Sequence, residues 1–381
     1  MMSSPTRLPE NREWIDFAKG IAIVLVVLYH CGLFLTDVGL ASGAGRIRSF
    51  LNFIPMPVFF FIAGLTARRM LDWSLRDLWR RRLLTLVYLY LLWSGIRVIF
   101  YLVVPPLHGT ERSPTDPVSI LLLPVWPTSS YWFIWALGIF TILAWTISRI
   151  PVKWQLIGAT LLAMVSTTPG VLDTNNVGWD RVAQNFAFFL VALYAPRLVY
   201  RLAARVRPWH AALLMVIYAT LALVIAYLGV GRIPGVILLE CAVAVAMTIA
   251  VSKVLARVTF LDIVNRLGRQ SFPLYLLHLF PIAITLALIT PVSDNEVLLE
   301  WAPAWPYVLA SMILIVTLYL FKVTRRFTWL WVSPFRRDRR ASTRPAGQKQ
   351  PRRRDPVVGP QGATEGSPRS GRDEPSNPGG S

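Results

Sequence analysis

The chain predicts an all-α, polytopic membrane helix bundle of about ten transmembrane helices, with both termini cytoplasmic. Three observations carry this expectation. Of its 381 residues, 55% are hydrophobic and 15% charged, with a mean hydropathy of +0.51, more apolar side chain than a water-soluble core can hide. Apolar runs recur at close to the ~20 residues that cross ~30 Å of hydrocarbon at 1.5 Å per residue. Lys and Arg collect in alternate loops, as the positive-inside rule requires.

Taken in order, a polar segment over 1–16 leads into a first span over about 17–36. This run is too long, and the first of too many, for a cleaved signal peptide, and it reads as a retained helix. The second span, about 47–66, contains FIPMPVFFFIAGL, where Pro55 and Pro57 kink or break the first turn. Arg68, Arg69, Arg76, Arg80, Arg81 and Arg82 follow, opposed by Asp72 and Asp77, so this loop and the N-terminus are expected inside. The third span is about 83–104. A proline-rich loop with His108, Glu111 and Asp116 is expected outside. Spans four to six cover 131–148, 154–171 and about 182–199. Spans seven to ten cover 210–229, 236–252, 271–290 and 304–322, with basic residues at each inner loop. Arg232, in the outer turn GRIPG, is the main breach of the charge rule. Residues 17–332 thus form the transmembrane domain.

Residues 333–381 are rich in Pro, Gly, Ser and Arg and carry too little apolar surface to fold alone. From Arg336 onward, eleven Lys/Arg oppose five Asp/Glu, which suits a disordered basic tail at an anionic inner leaflet. The formal net charge of +19 follows membrane topology and does not indicate nucleic acid. Cys31 and Cys241 lie in apolar spans and offer neither a disulfide framework nor metal-ligand spacing.

The strongest site for chemistry lies in REWIDFAKGIAIVLVVLYH, residues 12–30. Eleven helical steps place His30 about 16 Å below Lys19 and within ~20° of its face, with Asp16 within ~40°. An ionisable group at that depth points to function, although an imidazole can also simply satisfy a neighbouring helix. A neutral His30 could take the proton of an attacking hydroxyl. Asp16 and Lys19 could charge the entry or pair with one another. The six arginines satisfy topology alone, yet guanidinium forks also hold phosphates bidentately. No glycine-rich phosphate loop is present. In GRQSFPLYLLHLF, residues 268–280, Ser271, Tyr275 and His278 share a helical stripe, but Ser271 and His278 stand roughly 10 Å apart, too far for a nucleophile–base pair. They read as lining a polar pocket. Glu240 is a lone acid near the outer end of the eighth span, and either contacts substrate or reaches the interface.

These blocks, with MPVFFFIAGL and SSYWFIWAL in the same order, resemble the acyltransferase-3 family of integral membrane O-acyltransferases, closest to the fucose 4-O-acetylase-like branch. The resemblance covers about residues 10–335. It implies about ten helices, a cytoplasmic acyl-CoA donor (usually acetyl-CoA) used as co-substrate with no permanently bound cofactor, and a glycan or lipid-linked acceptor outside. It makes His30 the essential first-helix histidine. Lys19 stands where the family commonly has arginine, and the R-x-x-R spacing is not reproduced around Arg80–Arg82. Some relatives carry a fused SGNH-type hydrolase domain, which is not expected here.

The expected function is therefore inner-membrane O-acyl transfer to a hydroxyl of a cell-envelope glycan or glycolipid. His30, Asp16 and Lys19 would serve the chemistry, and the arginine cluster would hold the donor. Ser271, Tyr275, His278, Glu240 and Trp132 would line the pocket. The alternatives are a transporter or flippase of an envelope glycan or lipid without covalent chemistry, and a scaffold for an envelope-assembly partner.

Overall fold

The computed structural model describes residues 13–40, 53–105, 115–127, 130–168, 170–293 and 295–335. Segment 1–12, the loop residues His108 and Glu111, and the tail from 336 lie outside the described residues. Those described form helices and turns, with no strand among them.

The bundle is organised around α1 (Glu13–Asp37), whose Trp14, Phe17, Ala22, Ile23 and Val27 are all buried. It packs against α2 (Pro55–Leu65), α9 (Val236–Leu255), α10 (Asp262–Arg269), α11 (Ser271–Leu277), α12 (Leu279–Ile289) and α13 (Trp305–Thr324). The tightest approach is to α10. A Cβ on Gly20 would strike the Val264 carbonyl, and one on Gly268 would strike the Asp16 carbonyl. The two helices thus meet backbone to backbone, as small residues allow in membranes. Asp262 opens α10 and bonds Arg266 at 2.8 Å, which holds its carboxyl below the usual aspartate range.

The remaining elements are α3 (Leu84–Tyr101), α4 (Trp132–Thr146), α5 (Val152–Ser166), α6 (Val177–Tyr194), α7 (Pro196–Arg205) and α8 (Pro208–Leu228). α6 packs against α2, α4 and α5, while α8 packs along α9. An aromatic cluster of Phe60, Phe133, Phe140 and Phe189 joins α2, α4 and α6. Val216, Leu223 and Tyr227 of α8 and Ile315 and Tyr319 of α13 stay exposed, as lipid-facing residues do. Cys31 and Cys241 are free and buried.

Among the described residues, seven helices are long and apolar enough to cross a membrane, or eight if one bent pair counts as a single span. The protein is thus a multi-pass membrane protein. The expected second and fifth spans correspond to shorter apolar helices, Pro55–Leu65 and Val152–Ser166. The expected sixth span, 182–199, is not straight. α6 ends at Tyr194 and α7 turns away by 84°. Pro196 has no N–H to continue the ladder and opens the new helix instead. Arg197, Arg201 and Arg205 then recur every four residues along α7, a pattern suited to the membrane surface. The ninth span runs unbent from Ser271 to Val292, with its regular hydrogen bonding interrupted at His278 between α11 and α12. Pro281 removes the bond to Leu277 and crowds its carbonyl.

Candidate active site

His30 lies on α1, half-buried, and its Nδ1–H donates to the Val26 carbonyl at 2.9 Å. A carbonyl accepts only from a protonated nitrogen, so that bond places a proton on Nδ1, and in the neutral ring Nε2 is then the atom with the lone pair. The His278 ring stands beside it, with centroids 5.0 Å apart and planes at 60°. His278 is 1% exposed. Its Nδ1–H is shared between the Tyr275 carbonyl at 2.9 Å and the Leu274 carbonyl at 3.2 Å. Its Nε2 is buried with no hydrogen-bond partner among the described residues. Two imidazoles on different helices are therefore oriented alike, each tied down through Nδ1. Tyr29 meets His30 edge-on and Phe34 stacks on it.

The other expected site residues separate into three groups. Asp16 and Lys19 pair with one another at 2.6 Å, both partly exposed. Lys19 shares α1 with His30 but lies about 16 Å along it, so neither charge touches the imidazole. Ser271 is buried at the start of α11. The Tyr275 hydroxyl points away from the histidines. It donates to the Ser130 carbonyl at 2.7 Å and accepts from the Phe133 N–H at 3.3 Å, closing the start of α4. Trp132 packs beside Phe60 and Phe133 at the same end. Glu240 is buried on α9 near Tyr218 of α8, a helix pair that carries neither histidine.

The arginine cluster divides in a comparable way. Arg68 donates to the Tyr194 carbonyl at the end of α6, and Arg82 donates to Thr141 Oγ1 at 2.9 Å. Arg81 pairs with Asp77 at 2.9 Å and lies over the Trp73 ring. Arg69, Arg76 and Arg80 are exposed and have no ion pair among the described residues. A π-turn over Trp79–Leu83 follows the short helix Leu75–Leu78.

Arg97 is the residue that spacing and motif did not bring forward. It sits within α3, 7% exposed, with its guanidinium over the Tyr101 ring at 5.2 Å. Its Nε has no acceptor and no carboxylate pairs with it among the described residues. Trp93, one turn earlier, meets Tyr131, and Tyr131 in turn meets Tyr275 beside His278. A charge inside the apolar run LLWSGIRVIFY is the signal that marks it.

Among the described residues, no three His, Cys, Asp or Glu side chains converge as a metal site would require. The arrangement offers two anchored imidazoles, a buried guanidinium and a patch of unpaired arginines. That set suits proton transfer near an anionic ligand. In comparison with known proteins, a family model described as an acyltransferase domain matches residues 12–321. Comparison with curated proteins and with solved structures returned no match.

Proposed function

The chain belongs to the acyltransferase-3 family, a membrane acyltransferase by that membership, and on this premise we propose how it works. It transfers an acyl group, acetyl in the simplest case, from cytoplasmic acyl-CoA to a hydroxyl of a cell-envelope glycan or glycolipid. The expected location is the cytoplasmic membrane, with both termini inside. The observation that carries this reading is the His30–His278 pair, with both Nδ1 positions committed to backbone carbonyls. Such an imidazole has one role left at Nε2, which is to accept a proton.

In the proposed step, the acceptor oxygen attacks the thioester carbonyl as its proton passes to His30 Nε2. The new C–O bond forms, the C–S bond breaks, and the coenzyme A thiolate leaves with the proton held by the imidazolium. His278 stays neutral beside it and confines the ring. Arg69, Arg76 and Arg80 bind the coenzyme A phosphates, being the members of the cluster not already engaged by protein groups. Asp16 and Lys19 form a charged pair at the entry. Ser271 and Trp132 border the path, and Glu240 belongs to the wall on the acceptor side.

The test is radiolabelled acetyl-CoA given to the purified protein in nanodiscs with native lipids and glycans. Label leaving coenzyme A for a lipid or glycan product supports the reading. An absence of both donor binding and turnover would overturn it in favour of a transporter.

A further inference from the structure

A polar cavity among the described residues lies away from the histidines, and we infer that it binds a neutral, polyhydroxylated sugar unit. It measures about 440 Å³, within the size range of small-molecule sites. It opens where the end of α5, the start of α6, the α8–α9 turn and the start of α2 converge. This is the end of the bundle that the charge rule assigns to the outside.

Its polar wall is formed by Asp173, Asp180, Arg181, Gln184, Asn185 and Arg232. Two arginines and two aspartates cancel in formal charge, so the cavity does not select an anion. Every one of these side chains ends in a planar group able to engage two neighbouring hydroxyls at once. Phe53, Ile225 and Ile237 supply apolar surface for the C–H face of a ring.

The wall is held in place before any ligand arrives. Arg181 donates to Gln184 Oε1 at 3.0 Å, and Gln184 donates to the Ser166 carbonyl at 3.0 Å. The Asn185 amide donates to the Arg181 carbonyl at 2.8 Å, which fixes its side chain. Asp180 accepts from both the N–H and the hydroxyl of Thr174. Asp173 accepts from the Asn175 N–H. Such pre-organisation lowers the cost of ordering on binding.

Arg232 gives the independent argument. It breaks the charge rule in an outer turn, and it makes no ion pair among the described residues. Gly229 and Gly235, at φ of 65° and 87°, shape the turn that carries it to the cavity rim. A cation kept there against topology has a use if it hydrogen-bonds a ligand. The cavity would then hold the sugar of the acceptor, and this assignment rests on the proposed acyl transfer only for its biological purpose.

The experiment is saturation-transfer NMR on the full-length protein in nanodiscs with methyl glycosides of glucose, galactose, mannose, rhamnose and fucose at about 10 mM, so that millimolar binders register. Signal from at least one glycoside is expected, reduced at least about fivefold in Arg232→Gln and in Arg181→Gln. The exposed Arg232 position keeps the test valid if Arg181→Gln folds poorly. Absence of signal, or signal unchanged in Arg232→Gln, would overturn the inference. So would preference for inorganic phosphate or phosphoethanolamine over the glycosides. Glycoside binding without any acetyl-CoA turnover would leave this inference standing and remove the acyl-transfer reading.

Discussion

The two halves of α1 use polar groups in opposite ways. In the half that begins at Glu13, Asp16 and Lys19 neutralise each other, and Gly20 lets α10 close onto the backbone. Beyond Val26, the same helix presents His30 to a second imidazole whose Nε2 is buried and unbonded among the described residues. One half has its polar groups satisfied and its backbone locked. The other holds two imidazoles by their Nδ1 atoms alone, with the His278 Nε2 left unbonded among the described residues. A buried polar atom left unbonded costs about 1–3 kcal/mol, so it persists where something other than stability maintains it. On the proposed reading the chemistry sits at His30, while Gly20 and Gly268 serve the scaffold.

Breaking the unpaired half should have the largest effect. His30→Ala is expected to lower kcat for acyl transfer by roughly 10²–10⁴-fold with the protein still folded, read by initial rates beside a size-exclusion profile. Breaking the locked half should act on folding instead. Gly268→Val forces a side chain against the Asp16 carbonyl and should cost about 3 kcal/mol, seen as loss of monodisperse protein and a lower Tm. The two variants sharpen the comparison because one removes rate and the other removes stability.

Intermediate effects belong to the arginines. Arg97→Met removes a buried charge near Tyr101 and is expected to reduce kcat about tenfold while leaving Tm unchanged or raised, since a buried charge with no carboxylate partner among the described residues costs desolvation. Arg76→Gln with Arg80→Gln should raise KM for acyl-CoA about tenfold and flatten its salt dependence, with little change in kcat. The smallest effect is expected at the paired end. Lys19→Ala disrupts a partly exposed ion pair worth about 0–1 kcal/mol and should change KM by no more than about fivefold. A loss of kcat in Lys19→Ala matching that of His30→Ala would break the comparison.

Much of this was legible in the residues, for reasons that also explain what was not. Apolar length and loop charge fix helices such as Pro208–Leu228 because both signals are local. The depth of His30 follows from the rise of a helix. The bend after Tyr194 is also local, since Pro196 dictates it, but a hydropathy window averages across that proline. The meeting of His30 with His278 joins residues far apart in sequence and has no pattern that announces it. Tyr275 shows the opposite limit. Its position on the stripe with His278 was readable, whereas the direction of its hydroxyl, towards the Ser130 carbonyl, depends on where α4 begins. Arg97 was readable as a charge in an apolar run, but six arginines in the preceding loop draw attention away from it.

The most direct measurement is single-turnover acyl transfer in nanodiscs, comparing wild type with His30→Ala and His30→Gln at matched folded concentration. The account predicts that both variants bind acyl-CoA with wild-type affinity and fail to form product. Product formed by either variant at the wild-type rate would contradict it.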